Sequence, residues 1–93
     1  MTVGLLTLEL HIPHAQSLKD KRVVLRSVKD RLKKFNIAVA EVDHQNLWQR
    51  ATLGVVTIGE STEAVDRALA AVADEVERLG PGVITATHME FLT

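Results

Sequence analysis

The chain has 93 residues, 46% of them apolar, which is enough for one two-layer core spanning residues 1–93 and leaves little for a second domain. There is no cysteine, which excludes disulfides, thiolate catalysis and cysteine-ligated zinc and suits a reducing compartment. No apolar run approaches the roughly 20 residues that span a bilayer, and no basic region leads into a signal-type core, so the expected setting is the cytoplasm, off the membrane. The formal net charge of -1 conceals a polarity: residues 18–35 carry eight bases and two acids, whereas residues 60–79 carry six acids and two bases.

Val3 to Ile12 alternates as a strand, with Leu6, Leu8, Leu10 and Ile12 on one face and Val3, Leu5, Thr7, Glu9 and His11 on the other. Pro13 ends it, because it has no N–H to give to a ladder. Ser17 is the expected N-cap of a helix running to Phe35, and Asp20 could reciprocate in a capping box. The helix stripe is Leu18, Leu25, Val28, Leu32 and Phe35, widened by Val24. Asn36 is the expected left-handed cap.

Ile37 to Asp43 reads as a second strand, His44 to Gln49 as the turn, and Arg50 to Gly59 as a third strand. Ser61 or Thr62 caps a second helix through Leu79, with Val65, Leu69, Val72, Val76 and Leu79 as its stripe. Gly80-Pro81-Gly82 stops it, and Val83 to Leu92 is the last strand.

The order β-α-β-β-α-β predicts a ferredoxin-like α/β (α+β) sandwich. Its antiparallel sheet has the order 4-1-3-2, with both helices on one face. The other face starts out bare. It should hold Leu5, Thr7, Glu9 and His11, with Ile37 and Val39 as apolar contributors. That content predicts a homo-oligomer through the open face or an edge strand.

Glycine-rich phosphate loops are absent, since no GxxxxGK[ST] or GxGxxG occurs. Glu41, Asp43 and His44 cluster at the end of strand two, and alternation puts Glu41 and Asp43 on one face, a possible divalent-ion or acid-base site. No HExxH or comparable ligand set accompanies them, so no metal, cofactor or catalytic residue is expected. The basic helix offers more. Arg22, Arg26, Lys29 and Lys33 share its polar face, with Lys19 near one end, and could follow an RNA backbone. With only Phe35, Phe91 and Trp48 as aromatics, no paired stacking platform sits in mid-sheet. Trp48, in a short polar turn, covers a core edge or anchors an interface.

Three stretches resemble the YlxP-like family of small bacterial proteins, the DUF503 group: VGLLTLELHIP, SLKDKRVVLRSVKDRL and above all NIAVAEVDHQNLWQRATLGV. The resemblance runs from Val3 to about Glu90. It implies a ferredoxin-like fold and a cytoplasmic bacterial protein. Family members are often encoded beside translation initiation factor two and ribosome-binding factor A, which implies a setting in ribosome maturation or translation. The resemblance supplies no catalytic residues. Its signature positions here are Ser17, Leu18, Lys19, Lys21 and Arg22 at the helix start, and Glu41, Asp43, Trp48 and Arg50 around the hairpin.

The expected function is therefore that of a non-enzymatic, homo-oligomeric accessory protein contacting ribosomal RNA or a ribosome-associated protein through Lys19, Arg22, Arg26, Lys29 and Lys33. One alternative is a protein-binding module using Trp48, Leu5, Ile37 and Val39. Another is a small-ligand or metal-dependent activity at Glu41, Asp43 and His44.

Overall fold

The leucine series of the first strand decides which way the sheet faces: Leu6, Leu8 and Leu10 are buried, and Leu5, Thr7, Glu9 and His11 lie on the opposite side. The structure is a computed structural model describing residues 1–80 and 83–93. It contains β1 (Thr2–His11), α1 (Leu18–Leu32), β2 (Ala38–Asp43), β3 (Arg50–Gly59), α2 (Thr62–Glu77) and β4 (Ile84–Phe91). The four strands form one antiparallel sheet in the order β2-β3-β1-β4, the predicted ferredoxin-like order. β1 pairs along its whole length with β3, from Thr2 opposite Gly59 to His11 opposite Arg50.

Both helices cover the leucine face. Leu25, Val28 and Leu32 of α1 and Val65, Leu69, Val72 and Val76 of α2 pack on Leu6, Leu8, Leu10, Leu53 and Val55. Gly4 lets α2 come close: a Cβ there would collide with Val65 Cγ1 and lie 3.0 Å from Leu69 Cδ1. Each helix begins at a serine cap. Ser17 Oγ accepts from Asp20 N at 3.0 Å, and Ser61 Oγ accepts from Ala64 N at 3.1 Å. The Asp20 carboxylate reaches back to Gln16 N at 3.0 Å, one residue before the cap.

Several expectations need correction. Ile37 and Val39 do not contribute to the bare face; they pack against the core. Val39 lies opposite Val55, a core residue, so alternation turns Ala38 and Ala40 outward instead. Val24 is 36% exposed and does not widen the helix stripe. The buried residue there is Lys21, which lies three after Leu18 and four before Leu25.

Helix α1 stops at Leu32, short of Phe35. The N–H of Lys33 donates to Asp30 O and that of Phe35 to Leu32 O, bonds to the residue three back that tighten the last turn and end the α-helical ladder. Phe35 still rests on the core, and the Lys34 ammonium lies 5.6 Å from its ring centroid. Asn36 is not a left-handed cap; among the described residues the only non-glycine with positive φ is His44, at 61°. The expected Gly80-Pro81-Gly82 stop involves positions 81 and 82, which lie outside the described residues. No helix among the described residues is long and apolar enough to cross a membrane.

Candidate functional site

Eight cations lie on or just beyond α1, and tertiary packing sorts them into two groups. Lys21 is 1% exposed. An ammonium that dry must be matched by acceptors, and it is. Its Nζ donates to the carbonyls of His44 at 2.8 Å, Gln45 at 3.3 Å and Arg50 at 3.3 Å, and Glu41 Oε2 lies 2.9 Å away. Glu41 Oε2 is itself buried and takes no aligned hydrogen bond besides this ion pair. Lys21 thus ties the helix to the β2–β3 loop.

Glu75, buried on α2, gathers three more cations. Lys34 Nζ is 2.9 Å from it, Arg31 Nη1 3.4 Å and Arg78 Nη1 3.5 Å. The hydrogen bond from Lys34 is the largest influence and holds the carboxyl below its ordinary value of 4.5. Burial pushes the other way and is outweighed by the charge of Lys34, the Arg31 hydrogen bond and the charge of Arg78. A carboxyl whose folded pKa is depressed stabilises the fold above its unfolded pKa, and loses that contribution as pH falls through the folded value. Glu75→Gln should therefore melt below the wild type at neutral pH, and the gap should narrow as the pH drops below 4.5. Parallel thermal melts across that range provide the check; a gap that stays constant would separate Glu75 from the acid sensitivity.

Lys33 sits 3.1 Å from Asp30 in an exposed i,i+3 pair, a contact that is screened and weak. Lys19, Arg22, Arg26 and Lys29 remain. Among the described residues none of these four has a carboxylate within 4.0 Å. Lys19, Arg22 and Arg26 are exposed and Lys29 is half-buried. They recur at three, four and three residues, a ridge about 15 Å long. Arg22, Arg26 and Lys29 line a shallow groove with Leu25 and Glu41, so the ridge flanks the β2 edge of the sheet.

The acid and histidine group at 41–44 does not converge. A bulge between Glu41 and Asp43 breaks the alternation that would have placed them together. Glu41, opposite the core residue Leu53, turns under the helices to Lys21, whereas Asp43 lies opposite Thr52. Asp43 Oδ1 accepts from the His44 N–H at 2.7 Å, which supports the left-handed turn at that residue. Among the described residues no three His, Asp or Glu side chains come close enough together to hold a metal ion.

The open face carries Leu5 beside Val56, with Ile58 and Val42 well exposed. On it Thr52 Oγ1 donates to Glu9 Oε1. At one end of the sheet an open cleft is lined by His11, Asn46, Leu47, Trp48, Gln49 and Arg50. Trp48, 52% exposed, is not part of the core.

Lys21 is the residue that a reading of charge alone misses. Its position on the apolar stripe between Leu18 and Leu25 was the available signal, since a lysine there must find acceptors or leave the helix face unpacked.

The family described as "Protein of unknown function (DUF503)" matches residues 3–89. The chain is also 34% identical, over 90 residues, to the protein described as "Uncharacterized protein YlxP" of Bacillus subtilis (strain 168). That alignment covers 96% of this chain and 98% of the relative.

Proposed function

The chain belongs to the DUF503 family of YlxP-like proteins, and from that premise we propose that it is an accessory protein that binds an RNA backbone through helix α1. The carrying observation is the division of the cations. Lys21, Arg31 and Lys34 are engaged by carboxylates of other elements, while among the described residues Lys19, Arg22, Arg26 and Lys29 form a row with no carboxylate partner. A solvated surface needs no such separation, whereas a phosphate-binding surface benefits from charges that no internal carboxylate has claimed. Each guanidinium can take a phosphate in a two-pronged contact, and each ammonium can act as a movable point charge. The ridge reads charge and spacing and carries no information about base sequence. Ribosomal RNA is the partner that the resemblance to the family adds.

Four phosphate contacts give a slope of log K against log salt of about -3 for a single strand. Filter binding of single-stranded RNA across a salt series measures it. Replacing Lys19, Arg22, Arg26 and Lys29 with glutamine should lower affinity by more than about tenfold at low salt and flatten the slope towards zero. Lys33→Gln should cost somewhat less than any one of these, because the Asp30 carboxylate beside it offsets part of that charge. An unchanged slope in the fourfold variant, or no binding at low salt, would remove this reading.

A further inference from the structure

We infer that the cleft at Trp48 is a stacking site for an unpaired nucleobase, so that the RNA taken by the α1 ridge is single-stranded where it meets this loop. This rests on the phosphate-binding reading and extends it to a second set of residues.

The first support is the fixity of the loop. The carbonyls at 44, 45 and 50 are all held by the Lys21 ammonium. The Leu47 N–H donates to His44 O at 3.0 Å, and Gln49 O accepts from the Ile12 N–H at 2.9 Å. Gln49 Nε2 reaches both Pro13 O and Ala15 O at 3.2 Å. The residues on either side of Trp48 are therefore both anchored. An indole on such a backbone is presented to solvent in a defined place, and stacking on it sacrifices little conformational freedom.

The second support is the rim. Leu47 and Trp48 line the cleft with apolar side chains, together with the polar groups of His11, Asn46, Gln49 and Arg50. Among the described residues no carboxylate lines the cleft. An apolar protein side chain would strand those polar groups without water. A base offers a π-face to the indole and donors and acceptors at its edge, and Arg50 adds a cation for its phosphate.

The third support is continuity. Lys21, which holds the loop directly, lies on the same first turns of α1 as Lys19 and Arg22, where the ridge begins.

Trp48 is the sole tryptophan of the chain and reports on its own site. Its emission should be quenched on titration with oligouridylate or oligoadenylate, and left unchanged by inorganic polyphosphate that competes for the ridge. Trp48→Ala should weaken single-stranded RNA binding by about fivefold to a hundredfold while Trp48→Phe retains most of it. Duplex RNA of the same length should bind the wild type and Trp48→Ala alike. If RNA binds with the expected salt slope but leaves the emission and the Trp48→Ala affinity unaltered, stacking is overturned and the phosphate reading stands. If neither RNA nor polyphosphate binds, both fall. If Trp48→Ala dissociates a self-associated protein in sedimentation and RNA affinity is unaltered, the indole is a contact between copies and the stacking site is rejected.

Discussion

Lys21→Met should lower the stability of the fold by about 2–3 kcal/mol, a drop of roughly 10–20 °C in melting temperature for a domain of this size. The volume of the side chain is nearly kept, so the loss reports the ammonium rather than a cavity. Without it, the carbonyls at 44, 45 and 50 lose their shared donor, and Glu41 keeps a charge with no cation beside it. Removing one member of a fully buried pair costs about 3–5 kcal/mol, and the lower figure applies because the Glu41 side chain is 19% exposed and can regain some water. Glu41→Leu added to Lys21→Met should restore part of the loss, since the stranded charge is then gone. Thermal and denaturant unfolding of the three variants measures this. A Lys21→Met protein that melts with the wild type would mean that the loop does not depend on the ammonium. The same substitution bears on function: if the loop loosens, Trp48 loses its fixed position even though no RNA contact has been removed.

Gly4→Ala should destabilise the protein by about 1–3 kcal/mol through overpacking, or roughly 5–20 °C in melting temperature. The glycine sits on β1 directly under α2, and the added methyl meets Val65 and Leu69, two of the most deeply buried side chains. Valine is β-branched and stiff, so it cannot swing away without moving the helix. The second-site change Val65→Ala vacates the space the methyl needs, and Gly4→Ala with Val65→Ala should be less destabilised than the sum of the two single changes. Strict additivity in denaturant titrations would contradict the packing account.

The fold was legible because its determinants are local. The leucine alternation of β1, the helical spacing of Leu25, Val28 and Leu32, and the serines at 17 and 61 each act within a few residues, and each specifies its element without reference to the rest of the chain. The same periodicities misplaced residues where two elements compete. Ile37 and Val39 follow from the register of β2 on β3, which pairing sets; Glu41 and Asp43 are separated by a bulge that no pattern announces.

The candidate site shows the same division. The surplus of positive charge on α1 and the oddity of Trp48 in a polar turn are properties of the sequence alone. Which cations are available is a property of the folded molecule, because Glu41 lies 20 residues from Lys21 and Glu75 lies 44 from Arg31 and 41 from Lys34. Coulomb pairing depends on distance in space, and only the packing of α1 against β2 and α2 brings those carboxylates within reach. The sequence determined that this chain forms a two-layer sandwich with one strongly basic helix. Tertiary structure decided that three of its cations meet carboxylates of β2 and α2, that Lys19, Arg22, Arg26 and Lys29 are left along the ridge, and that one of the three holds the loop that presents Trp48.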